Sequence, residues 1–374
     1  MTFVFMQHSS PTRKLAFISQ LRFPLAALVV LIHSGICEYF TEQSEQTAVA
    51  RQVIHAFSVG LTSVAVPLFF AISGYLFFMG MHSFSIPIYK QKLQRRFKTL
   101  LIPYLTWILI AFLLYASLAL VKGEPLTWPL GANLWWGCRQ LVPDYTCLLD
   151  YHVNAITAPL LVPLWFMRDL MLLAVCSPGI YHLLKRTGWL FILLIGIVFY
   201  THIYPNWCGV SIRGLLFFSS GAIWAIQGKD PLAATREALP AACWTALLSL
   251  LAYVLLWGKV HWNITDVFNA IYVWSGMVVA IHWADASSRK HTLPKTCTQS
   301  SFFVYAVHTL FLFVLLKPLA LHVQHMGVVV ILAAYFGCYL LTLLLSVLSF
   351  KIVVWAEHGH GILTGIWSKA PTRQ

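Results

Sequence analysis

Charged side chains are scarce in this chain: 10% of its 374 residues are Asp, Glu, Lys or Arg, against about a quarter in soluble domains. That shortage excludes a water-soluble globular protein. Apolar residues make up 59% of the sequence and the mean hydropathy is +0.75, which excludes intrinsic disorder, because disorder comes from too little apolar surface to bury. Acidic residues are the rarer sign, 12 against 25 Lys and Arg, for a formal charge of +13. A nucleic-acid-binding chain would gather such a surplus into one patch or stripe. Here the basic residues punctuate long apolar runs instead, so no nucleic-acid partner is expected. The eight cysteines contain no CxxC and no Cys/His ligand spacing, so metal binding has no support. Tandem repeats, low-complexity stretches and a soluble domain are also missing, and residues 1–374 read as one membrane-embedded domain.

What the sequence does contain is about ten apolar stretches, each near the roughly 20 residues that a bilayer-spanning helix needs. They lie near 17–37, 59–80, 99–121, 158–183, 188–204, 209–227, 239–258, 264–284, 299–321 and 326–355. The fifth is short and the last is long. Arg22 lies inside the first stretch and no small-residue cleavage site follows it, so this stretch reads as a retained helix and not as a signal peptide. Lys and Arg accumulate in cytoplasmic loops. With the N-terminus inside, seventeen of the 25 fall on the cytoplasmic side and six on the outer side, with Arg22 and Arg168 within spans. The expected fold is therefore all-α, a polytopic membrane helix bundle of about ten spans with both termini cytoplasmic. The longest outer loop, about 122–157, carries Trp128, Trp135 and Trp136 with Pro125, Pro129 and Pro143, a composition suited to the membrane interface. Cys138 and Cys147 share that loop, where an oxidising compartment would permit a disulfide.

Ionisable groups inside spans are costly, so each is a functional candidate. Arg22 and His33 are eleven residues apart, a rotation of about 1100° that returns them to one helix face, about 16 Å apart along the axis. A histidine in a low-dielectric span is held as the neutral imidazole, which can accept a proton as a general base does. The alternative is that His33 hydrogen-bonds a neighbouring helix and Arg22 snorkels to headgroups. Small Ser73 and Gly74 sit mid-span in the second stretch, where a helix or a substrate could approach closely. Lys90, Lys92, Arg95, Arg96 and Lys98 precede the third. They mark topology and lipid contact, or they hold an anionic ligand, for which Arg95 and Lys98 on one helical face would suit a phosphate pair. Trp165, Arg168 and Asp169 form a further buried polar group. Neighbours in sequence do not face each other on a helix, so Arg168 and Asp169 are expected to find partners on different helices or to line a wet cavity. Ser301, Tyr305 and His308 fall on one stripe of span nine, open to a site or to packing hydrogen bonds.

These segments resemble the acyltransferase family 3 membrane proteins. Residues 21–33, LRFPLAALVVLIH, resemble that family's first-helix motif, and residues 66–76, VPLFFAISGYL, its second-helix signature. Arg95-Arg96-Phe97-Lys98 before Pro103-Tyr104 is similar to its basic lead-in to helix three. Leu164-Trp165-Phe166 and the run from Ser301 to His308 fall where the family has similar segments. Two positions depart: Gln20 stands where the family often has an acidic residue, and Lys98 replaces the second arginine of an Arg-x-x-Arg, which loses one planar fork for phosphate.

The resemblance implies transfer of an acyl group, acetyl or succinyl in class, from cytoplasmic acyl-coenzyme A to a hydroxyl of a glycan or other envelope acceptor. It also implies a bacterial cytoplasmic membrane. With no soluble acceptor domain after the tenth span, a lipid-linked acceptor, or one supplied by another protein, is expected. On this reading Arg95, Arg96 and Lys98 take the cofactor's phosphates. Arg22 stabilises the cofactor or the oxyanion, and His33 is general base or transient acyl carrier. Asp169 or Glu38 would orient the imidazole, and Ser73, Trp165, Arg168, Tyr305 and His308 are pocket candidates. The rival is a secondary transporter of an anionic or glycan-like solute, with Arg22, Arg168 and Asp169 along the pathway. Such transporters often show inverted repeats, and no such symmetry is visible. A non-catalytic receptor or assembly factor would leave the Arg22/His33 alignment and the basic cluster unexplained.

Overall fold

The computed structural model describes residues 11–41, 44–81, 83–123, 159–201, 211–357 and 362–364. Among the described residues every regular element is helical. The Trp-rich loop with Cys138 and Cys147 lies outside them.

The first span is α1, Pro11–His33, which continues through Pro24; the backbone bond that a proline cannot donate is tolerated in a span when neighbouring helices cover the gap. The second begins outside the predicted stretch. Ser44 and Thr47 form a reciprocal cap, with bonds of 3.2 and 2.8 Å, and start α2, Glu45–His55. A π-turn at Ala56–Gly60 and a 3-10 turn at Leu61–Val64 then lead into α3, Ala65–Phe78. Ser58 and Thr62 donate to backbone carbonyls four residues back, side-chain bonds of the kind that compete with and bend a regular helix. The third run is α4, Ile86–Arg96, a π-turn at Phe97–Leu101, and α5, Ile102–Lys122. It stops at Gly123, whose φ of +66° suits the left-handed helix terminus.

The fourth predicted span is not one straight helix. It bends by 67° between the segments Val162–Val175 and Ser177–Thr187, where Pro178 cannot continue the hydrogen-bond ladder. Its regular parts are α6, Trp165–Val175, and α7, Ser177–Thr187. The fifth and sixth are the short helices α8, Trp189–Tyr200, and α9, Ile212–Ile226. At 1.5 Å per residue they reach only about 18 and 22 Å, less than a 30 Å hydrocarbon core. After the turn α10, Pro231–Thr235, the chain forms α11, Leu239–Leu256; α12, Trp262–Lys290; α13, Lys295–Val323; and α14, Val328–Glu357. Among the described residues seven helical runs are long and apolar enough to cross a membrane, or eight with the bent pair taken as one span. Bare leucines on α5, α11 and α14, such as Leu113, Leu247 and Leu344, are what a lipid-facing surface requires. The chain is an integral membrane protein.

At the centre α3 and α9 cross with almost no side chain between them. A Cβ on Gly74 would lie 2.0 Å from the carbonyl oxygen of Phe218, and one on Gly221 would lie 1.8 Å from that of Ala71. Gly74 thus serves close helix approach, as small residues do in bundles, and Ser73 beside it is half-buried. Helix α1 is flanked by α12 and α13, and α14 packs on α13.

Candidate active site

His33 is the last residue of α1. The ring that stands beside it is His308 of α13, with centroids 5.3 Å apart and planes tilted by 38°. His308 is fully buried. Its Nδ1 lies 2.8 Å from the Tyr305 carbonyl and 3.2 Å from that of Val304, so Nδ1 carries the proton and Nε2 keeps its lone pair. Nε2 has no hydrogen-bond partner among the described residues. A buried basic nitrogen left open is costly in a purely structural role and is what a proton-handling pair requires.

The rest of the predicted stripe on α13 is structural. Ser301 donates to the carbonyls of Cys297 and Thr298, and the Tyr305 hydroxyl donates to the carbonyl of Pro163. Tyr305 thereby ties α13 to the start of α6 and fixes the helix that carries His308.

Arg168 and Asp169 meet each other, and Asp169 also reaches a partner outside its own helix. The long Arg168 side chain curls back so that Nε and Nη2 donate to Asp169 Oδ1 at 3.1 and 2.9 Å, and both side chains are almost wholly buried. The rule that adjacent helical residues diverge holds for their Cβ atoms. Guanidinium reach overrides it where an unpaired buried charge would cost several kcal/mol. Asp169 Oδ2 accepts from the backbone N–H of Ser211 at 3.2 Å, and Ser211 Oγ in turn accepts from the N–H of Gly214 at 3.0 Å, which anchors the start of α9. Asp169 therefore does not orient His33. Glu38 lies exposed on the 3-10 turn Ile36–Tyr39, against Gly35. Trp165 packs edge-on to Phe166 and tilted against Phe70.

Three turns before His33, Arg22 projects into accessible space. Its electrostatic neighbour is Arg96, half-buried at the end of α4. Arg95 and Lys98, the pair expected to share a face, are both exposed, and a π-turn begins between them at Phe97. Lys92 has another task. Its Nζ donates to the carbonyls of Phe77 and, at 3.0 Å, Met79, closing the end of α3. Gln20 clamps α1 to the far end of α12: its amide nitrogen reaches Ser287 Oγ at 3.2 Å and the His291 carbonyl at 2.9 Å, and its oxygen accepts from Leu293 N at 3.1 Å. A carboxylate could accept from the Ser287 hydroxyl and the Leu293 N–H but has no proton for the His291 carbonyl. Among the described residues no three His, Cys, Asp or Glu side chains gather to hold a metal.

In this polytopic helix bundle Arg22 and Arg96 lie towards one end of α1, and His33 and His308 stand together at the other. The description "Acyltransferase domain" matches residues 15–350, and the chain belongs to that family, acyltransferase family 3. It is a membrane acyltransferase. No curated protein and no solved structure matches the chain significantly.

Proposed function

We propose that the protein moves an acetyl- or succinyl-class acyl group from acyl-coenzyme A to a hydroxyl of a glycan or lipid-linked acceptor at a bacterial cytoplasmic membrane. The observation that carries this reading is the pairing of His33 with His308, whose Nε2 is open. His33 takes the acceptor hydroxyl proton as the oxygen attacks the thioester carbonyl. The carbon–sulfur bond then breaks, and the proton passes to the departing coenzyme A thiolate. His308, at ring-contact distance, steadies the charge that forms on His33, a role carboxylates take in other sites.

Arg22 belongs with the donor and not with the oxyanion. It is eleven residues from His33, about 16 Å along the axis, and side chains lean towards the helix N-terminus, away from His33. Arg22, exposed, and Arg96, half-buried, bring two like charges together, an arrangement that an incoming phosphate stabilises. Arg96→Gln should weaken acyl-coenzyme A binding at least tenfold, about the loss of one charged hydrogen bond, and steeply with salt. Arg95→Gln with Lys98→Gln should cost less, since both are exposed. Equal affinities in titrations of all three proteins would return the basic cluster to a topology marker.

The reading also has a direction. The arginine end faces the cytoplasm by the charge count, so inside-out vesicles should use added radiolabelled acyl-coenzyme A and right-side-out vesicles should not. Equal use by both would show that the donor site or the orientation is misplaced.

A further inference from the structure

Ile32, the residue before His33, lines a cavity of about 280 Å³ whose lining includes none of the candidate active-site residues described above. Its walls are helix ends: the end of α1, the irregular turns leading into α3, the end of α8, and the starts of α9 and α12. All of them meet at the His33 end of α1, three turns from Arg22.

The wall chemistry selects a kind of ligand. Arg213 and Asp266 both line the cavity, one charge of each sign, so the site does not favour a net anion or cation. Phe199, Tyr200 and Phe217 supply flat apolar faces. The hydroxyl protons of the irregular turns are already used: Thr62 Oγ1 donates to the Ser58 carbonyl at 2.6 Å, and Ser63 Oγ to that of Gly60 at 2.9 Å. These oxygens therefore present lone pairs. Asn269 also lines the cavity, and its side-chain oxygen is buried with no partner among the described residues. The Tyr200 hydroxyl accepts from the Trp274 indole N–H at 3.0 Å and keeps its own proton to donate.

An excess of acceptors beside aromatic faces is matched by a molecule that carries several O–H groups around an apolar C–H face. A phosphate has no such face, and an alkyl chain has neither feature. The volume sits near the lower limit of about 300 Å³ for ligand pockets, which suits one ring and not a chain. We propose that this cavity is the acceptor subsite and that it takes a single neutral polyhydroxylated ring of the pyranose type, with the reacting hydroxyl turned towards His33. The proposal rests on the acyl-transfer reading above. The ring's O–H gives its proton to His33, its oxygen forms the new ester bond, and coenzyme A leaves as the thiol.

Position 63 gives a direct test. In full-length Ser63→Cys protein in lipid nanodiscs, thiol-reagent modification of residue 63, followed by peptide mass spectrometry, should be slowed severalfold by methyl glycosides of neutral hexoses. Inorganic phosphate and short alkanols should not slow it. In parallel, Asn269→Ala should raise KM for a glycan-extract acceptor about tenfold, the scale of one lost buried hydrogen bond, with KM for acyl-coenzyme A unchanged. Transfer activity without glycoside protection, and with a wild-type acceptor KM in Asn269→Ala, would overturn the acceptor subsite and leave the acyltransferase reading standing. Glycoside protection in a wild-type protein that transfers no acyl group would overturn the acceptor role through failure of the catalytic reading instead, and the two failures are thereby told apart.

Discussion

His33→Ala should lower acyl transfer by about 10² to 10⁴, the range that a positioned general base supplies, while membrane insertion and yield stay at wild-type levels. Insertion should survive because alanine is cheaper to place in a span than imidazole. His33 ends α1 and stands against His308, so the substitution removes one of two facing rings without breaking a helix. The measurement is acyl transfer from radiolabelled acyl-coenzyme A by purified protein, with coenzyme A binding measured alongside. Binding should hold, because Arg22 and Arg96 lie three turns away. Near wild-type turnover in His33→Ala would remove the histidine pair from the mechanism. Loss of coenzyme A binding would mean instead that the two ends of α1 are not separate stations. His308→Ala should cost less than His33→Ala, since His308 acts through its neighbour.

The second large effect concerns the fold that holds these stations in place. Gly221→Ala should destabilise the protein by more than about 4 kcal/mol, the range reached only when a core contact is broken outright. The added Cβ would lie 1.8 Å from the Ala71 carbonyl oxygen, and the obstacle is backbone, which cannot rotate away. Helices α3 and α9 would have to separate, and α9 is the helix whose start Asp169 anchors through Ser211. Thermal unfolding in detergent, followed by size-exclusion chromatography, reads the loss. Gly337→Ala on α14 is the control: nothing lies within 4 Å of its Cβ position, and alanine is the better helix former. If both variants melted together near wild type, the tight crossing would not be a keystone of the bundle.

The sequence alone was enough for the class of molecule. A shortage of charge and long apolar runs admit only membrane helices, because backbone groups in hydrocarbon must be satisfied within the segment. The spacing of Arg22 and His33 was equally legible, since both lie on one helix whose geometry is known. The family segments added the chemistry of acyl transfer. Span lengths were legible only in part: the fifth already read as short, whereas the bend of 67° in the fourth and the shortness of the sixth depend on how neighbouring helices cover broken ladders, which no window of hydropathy reports.

Only the tertiary structure decided which side chains meet. His33 and His308 are 275 positions apart, and nothing local to either names the other. Arg96 is half-buried and is the electrostatic neighbour of Arg22, while the adjacent Arg95 is exposed, a difference between neighbours on one helix that the packing of that helix decides. Arg168 pairs with its own neighbour Asp169, since in a dry interior the nearest countercharge outweighs the direction of the Cβ. The cavity beside Ile32 is assembled from five helix ends, each of which reads alone as an ordinary span boundary. Periodicity along the chain determines what one helix presents; long-range packing determines what it is presented to.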